Sequence, residues 1–168
     1  MSKPQPHYAL ATQEDFAAIL GLQNLNLLAN LLPDARADGF LSVEFTEELL
    51  AEIVHDVAIV KATIGDELVG YRMAQTIDFN LRFPLFAAII AEFPRLRFEG
   101  RPLSDFRTVI SGPTCVARNW RGRGVYEGMF VTLCQVLKIR FEIGVTFIAD
   151  TNLRSLGPVE KWSFSFIF

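Results

Sequence analysis

Apolar positions along the chain alternate between two spacings, and the spacing sorts the chain into elements. HYALAT, from His7, reads as a short strand. The stretch from Glu14 to Leu32 follows with Phe16, Ile19, Leu20, Leu27, Leu28 and Leu31 at helical intervals, and Thr12 with Asp15 three residues on supplies an N-terminal cap. Thr46, Glu47 and Glu48 open a second helix that runs through Ile53. Two β-rich runs, VAIVKATI and ELVGYRMAQT, flank a turn at Gly65 and predict a hairpin. From Asp78 to Asp105 the pattern becomes aromatic and arginine-rich, with one short helix expected between Pro84 and Pro94. FRTVISGPTCVA then reads as a strand with a bulge or bend at Gly112–Pro113. GVYEGMFVTLCQVLKIRF reads as a helix with Val125, Met129, Leu133, Val136 and Leu137 on one face. VTFIAD predicts a strand, TNLRSLGPVEKW a helix interrupted at Gly157–Pro158, and FSFIF a last apolar strand. The sum is one α/β domain over residues 1–168 with a mostly antiparallel sheet.

Composition narrows what such a domain binds. The chain has 168 residues, 51% of them hydrophobic, with 15 Phe, enough for a substantial core. A net charge of −3 argues against nucleic acid, which needs a basic face. The longest apolar run, Phe83 to Phe93, falls well short of the roughly 20 residues of a membrane span, so no membrane partner is expected. Cys115 and Cys134 sit in apolar stretches and the N-terminus has no secretory pattern, which predicts a cytoplasmic protein with reduced thiols. Neither His7 nor His55 has a Ser or Cys partner nearby in sequence, so no nucleophilic dyad and no metal site are assigned.

Against this acidic background, RNWRGRGVYEG places Arg118, Arg121 and Arg123 beside Gly122, Gly124 and Gly128 at a strand-to-helix junction. Unpaired N–H groups at a helix start, glycines that let the backbone approach a ligand, and nearby guanidinium groups together predict an anion site suited to a pyrophosphate. No Lys follows the glycines as a Walker loop requires, and a dinucleotide fingerprint would need Gly where Glu127 stands.

The loop resembles the acyl-CoA pyrophosphate loop of the GNAT superfamily of N-acetyltransferases, Arg-x-x-Gly-x-Gly/Ala. Arg121 and Gly124 match it, and Tyr126 replaces the last small residue. Asn152, Ser155, Glu160, Lys161 and Phe164 hold the spacing of a second motif of that family, with Val159 in place of its Tyr and Ser163 in place of its Gly. The resemblance implies a mixed, mostly antiparallel central sheet flanked by helices, here with a helical insertion between the third and fourth strands and a shortened C-terminus. It implies acetyl-CoA as co-substrate, held by the strand edge Thr114, Cys115 and Val116, by the loop Arg121, Gly122, Arg123, Gly124, Val125 and Tyr126, and by Asn152 and Ser155. It also implies direct attack of an amine, on a small molecule or peptide, on the thioester, without a covalent enzyme intermediate. The family's Tyr often protonates the departing thiolate; with Val159 in its place, water, Ser155 or a hydroxyl of the insertion takes that role, or the protein binds CoA without transferring acetyl. The insertion, with Phe79, Phe83, Phe86, Phe93 and Phe98 among Arg82, Arg95 and Arg97, reads equally as a lid over an acceptor amine or as a homodimer interface. Tyr126 and Met129 read as core positions, and Cys115 as a packed residue.

Overall fold

A computed structural model describes residues 4–32 and 39–148. Strand β1 spans His7–Leu10, and helix α1, Phe16–Asn24, follows one turn of 3-10 helix. Helix α2 is Glu47–Asp56; strands β2, Ala58–Ile64, and β3, Glu67–Thr76, form the expected hairpin. The aromatic segment contributes α3 (Ile77–Asn80), α4 (Pro84–Ile90) and a small hairpin of β4 (Arg97–Phe98) and β5 (Arg101–Pro102). Strand β6, Thr108–Val116, helix α5, Val125–Leu137, and strand β7, Ile143–Val145, complete the described elements. The sheet order is β1-β2-β3-β6-β7, antiparallel throughout except for the parallel β6–β7 pair. The α/β class and the mostly antiparallel sheet are as the sequence predicts. The expected helix after Thr151 and the strand ending at Phe168 lie outside the described residues.

Strand alternation divides the core between two faces of the sheet. Ile59, Tyr71 and Met73 point to α1 and α2 and pack with Ile19, Leu50 and Ile53. Val60, Ala62 and Ala74 point the other way, onto Val125, Met129 and Leu133 of α5. The predicted face of α5 is correct, with Val136 only partly buried at its margin.

Two predicted helices are shorter than their apolar pattern. α1 stops at Asn24 because Asn26 turns its side-chain amide back onto the Leu22 carbonyl (2.8 Å), and the backbone then pairs with Leu41 through Leu28 N–H (2.9 Å). Leu27 is still buried, but from an extended segment. α5 ends at Leu137, whose carbonyl accepts from the N–H groups of Arg140 and Phe141. Buried polar groups then fix the layers. Gln23 on α1 exchanges two hydrogen bonds with the Phe45 backbone (3.0 and 2.9 Å), and Asp56 at the end of α2 accepts from Thr76 N and Oγ1 (2.7 and 2.8 Å). Thr76 itself caps α3 through Phe79 N–H, so α2 sets where the aromatic segment begins.

Helix α5 approaches β1 closely at Gly128, where a β-carbon would fall within 2.6 Å of three Tyr8 ring and hydroxyl atoms. Alanine favours a helix interior over glycine by about 1 kcal/mol, whereas overpacking costs about 1–3 kcal/mol. Gly128→Ala is therefore expected to lower stability in the native background and to raise it in a Tyr8→Ala background. Urea unfolding of the four proteins of this cycle measures the change of sign; the same sign in both backgrounds would contradict the packing account.

Candidate active site

The cleft begins where two strands part. Strands β6 and β7 pair at Thr108–Ile143, Val109–Gly144 and Ile110–Val145, and no further among the described residues. From Thr146 the chain no longer runs as a strand, so the predicted VTFIAD strand is displaced: it occupies Ile143–Val145, and Thr146, Phe147 and Ile148 instead line an opening beside β6. On its other edge β6 stays paired with β3 up to Gly70–Val116, with a register shift between Arg72 and Ala74 opposite Gly112–Pro113. The bulge read from Gly112–Pro113 is therefore present, and Gly112 adopts a φ of 146° that favours glycine. The result is a cavity of about 710 Å³ with Ser111 to Val116 along one wall.

The start of α5 closes one end of this cavity. Gly124 is the N-cap with φ 80°, and Gly122 has φ 71°. A β-carbon at either would meet nothing within 4 Å, so conformation rather than crowding requires glycine, and the loop faces open space. The first helical bond runs from Gly128 N–H to the Gly124 carbonyl, which leaves the N–H groups of Val125, Tyr126 and Glu127 at the positive end of the helix dipole.

Arg121 and Arg123 of this loop play separate parts. Arg121 is a brace: its Nε donates to the Val116 carbonyl (3.0 Å) and its Nη2 to Asn26 Oδ1 (2.6 Å), tying the loop to the end of β6 and to the capping residue of α1. Arg123 lies over the Trp120 ring at 5.1 Å, on the exposed side. Of the loop's three arginines, only Arg121 lines the cavity. Thr114, Cys115, Val116, Gly122, Val125 and Tyr126 line it too, so the structure brings together most of the residues singled out in the sequence; Asn152 and Ser155 lie outside the described residues. Tyr126 is not a core position as expected: it is half-buried on the cavity wall, with Arg72 5.1 Å from its ring centroid, whereas Met129 is fully buried.

The aromatic segment supplies the opposite wall through Phe79, Phe83, Phe86 and Ile89, and Phe86 stacks on Phe147 at 5.9 Å. Its guanidinium groups do not enter the cavity, contrary to the sequence reading. Arg82 pairs with Glu52 (2.6 Å) and covers Phe79, Arg95 pairs with Glu92, and Arg97 donates to the Gly100 carbonyl. The polar groups of the cavity include Arg72 and Gln75 on β3, with Ser111, Asn26 and Asn80, beside Arg121 and Glu127 at the head of α5. Sequence reasoning passed over these residues, although a charged and an amide side chain inside an otherwise apolar strand, ELVGYRMAQT, was a visible signal.

Both thiols are reduced. Burial pushes the Cys115 thiol up to about 12, against the opposing pull of the Arg121 charge, and Cys134 is raised as well, with Arg72 opposing. A thiol held this high carries almost no thiolate near neutrality, so Cys115 is no nucleophile. Iodoacetamide at about pH 8 is expected to modify the half-buried Cys134 slowly and leave Cys115 intact until the protein unfolds. Peptide mass spectrometry reads this directly, and rapid labelling of Cys115 in the folded protein would contradict it.

No protein-family model and no curated protein matches the chain. Solved structures do. An aminoglycoside N-acetyltransferase, AAC(6')-Iy in complex with CoA, is similar with a TM-score of 0.63 at 15% identity, over 99% of this chain and 92% of that one. A ribosomal-protein-alanine N-acetyltransferase from Brucella melitensis gives 0.58 at 17% identity, over 95% and 84%. An N-acetyltransferase from Staphylococcus aureus Mu50 gives 0.60 at 16% identity, over 95% and 83%. With its β6–β7 parting and its glycine loop at the head of α5, the chain has the fold of the GNAT-type acetyltransferases.

Proposed function

We propose that this chain is an N-acetyltransferase that binds acetyl-CoA in the cleft between β6 and β7 and transfers the acetyl group to an amine. The observation that carries the reading is that one cavity joins a glycine-flanked helix start to a strand edge left unpaired beyond Ile110–Val145 among the described residues. The N–H groups of the Gly122 to Glu127 loop receive the pyrophosphate, while the edge from Thr114 to Val116 receives the amide groups of pantetheine. Arg121 holds that loop against β6. In the reaction the amine nitrogen attacks the thioester carbonyl, the carbon–sulfur bond breaks, the amine loses a proton and the thiolate gains one. Oxyanion character at the carbonyl is stabilised by donors at the β6 edge beside Gly112. The Phe79, Phe83 and Phe86 wall favours an acceptor with an apolar body.

A second reading, CoA binding without transfer, is favoured by one residue, Val159, which cannot donate the proton that the family's Tyr supplies.

Two measurements separate these readings. Calorimetric titration with acetyl-CoA is expected to show binding that Gly124→Val weakens by about tenfold or more, because valine does not adopt the required φ and crowds the backbone approach. Absence of binding by folded wild-type protein would sink both readings. A thiol-release assay with a panel of apolar amines is expected to show turnover; tight CoA binding with no turnover on any amine would select the non-transferring form.

A further inference from the structure

Arg72 carries a positive charge into the interior without an anion among the described residues to meet it. The residue is 3% exposed and sits in the middle of β3, a central strand. Its Nε and Nη2 both donate to Ser111 Oγ (3.2 and 2.9 Å), and its Nη1 is enclosed with no hydrogen-bond partner. No carboxylate among the described residues pairs with it. What compensates the charge is the faces of Tyr126 and Phe130, 5.1 and 5.0 Å from the guanidinium carbon. Cation–π contacts of this kind offset part of the cost of burying a cation and leave Nη1 without a hydrogen bond. The site is therefore under-compensated as it stands.

Ser111 sharpens the chemistry. Because its oxygen accepts two bonds from Arg72, its own proton is directed outward as a donor. Ser111 lies one residue beyond the last β6–β7 pair, at the point of parting, and both residues line the cavity. An arginine with donors to spare and a hydroxyl turned to donate, at one place and with no acceptor between them, match an acceptor-only group of negative charge. On the opposite face of β3, Gln75 leaves its amide Nε2 buried and unpaired, a second unmet donor among the residues that line the cavity.

We infer that Arg72 and Ser111 form a carboxylate-binding site in the wall of the cleft, which selects a carboxylate borne by the acyl group of the donor or by the acceptor amine. The donor arm rests on the CoA reading above; the acceptor arm does not. The apolar wall facing the site accommodates the body of such a molecule while Arg72 holds its charged end.

Calorimetry with matched pairs tests this on the full chain. Succinyl-CoA against butyryl-CoA compares a charged with a neutral acyl group, and phenylalanine against phenethylamine, with and without CoA, compares acceptors. The expected result is that the carboxylate-bearing member of one pair binds about tenfold or more tightly, and that Arg72→Met removes the preference, one charge-assisted contact being worth about this factor. Preference in the first pair assigns the carboxylate to the donor, and in the second to the acceptor. Discrimination of phenylalanine by a protein that binds no form of CoA would uphold the site and refute the CoA reading. Wild-type indifference within both pairs, or a preference that survives Arg72→Met, would overturn the proposal. If thermal melting shows that Arg72→Met is unfolded, Ser111→Ala decides: its preference falls if the site is as described and is unchanged if it is not.

Discussion

The parting of β6 from β7 after the Ile110–Val145 pair is the constraint on which the rest of the site depends. Paired strands satisfy one another's backbone groups and leave no room between them; parted strands leave a row of polar groups that must find another partner. The fold sustains this opening because β6 remains paired to β3 along its other edge, through the register shift at Gly112–Pro113 up to Val116. A cavity thus forms inside the sheet rather than on its surface, with backbone for one wall and aromatic side chains for another.

Holding such an opening in shape requires cross-links that core packing alone does not provide. Asn26 and Arg121 form one: a single asparagine ends α1 by capping Leu22 and also receives the Arg121 guanidinium, which in turn grips the Val116 carbonyl. Asp56 and Thr76 form another, joining the end of α2 to the start of the aromatic segment. The side chains nearest the opening are thereby fixed before any ligand arrives, which lowers the entropy lost on binding.

Much of this was legible in the sequence. Helical and strand periodicity located most of the described elements, though it placed β7 too late in the chain, and the glycines of the Arg121–Tyr126 loop marked the helix start, because positive φ values and helix termini leave local signatures. Interactions between distant segments left none. The apolar pattern continues past Asn24, so nothing local shows that Asn26 ends α1. The bracing role of Arg121 shows only once its acceptors, 5 and 95 residues away in sequence, are known. The arginines of the aromatic segment looked available to a ligand, yet Glu52 and Glu92 engage two of them. Arg72 went unnoticed because a lone charge in a strand is ordinarily at an edge or facing water, and only the sheet order places β3 at the centre.

Amide chemical-shift mapping of the isotopically labelled protein during titration with CoA tests the central claim most directly, since it reports where the ligand lies without requiring turnover. If the parted strands and the head of α5 form one CoA site, the largest shifts fall together on Gly122 to Glu127 and on the β6 edge from Ser111 to Val116, Pro113 having no N–H to report. Shifts confined to other surfaces, or to the loop with β6 unmoved, would contradict it.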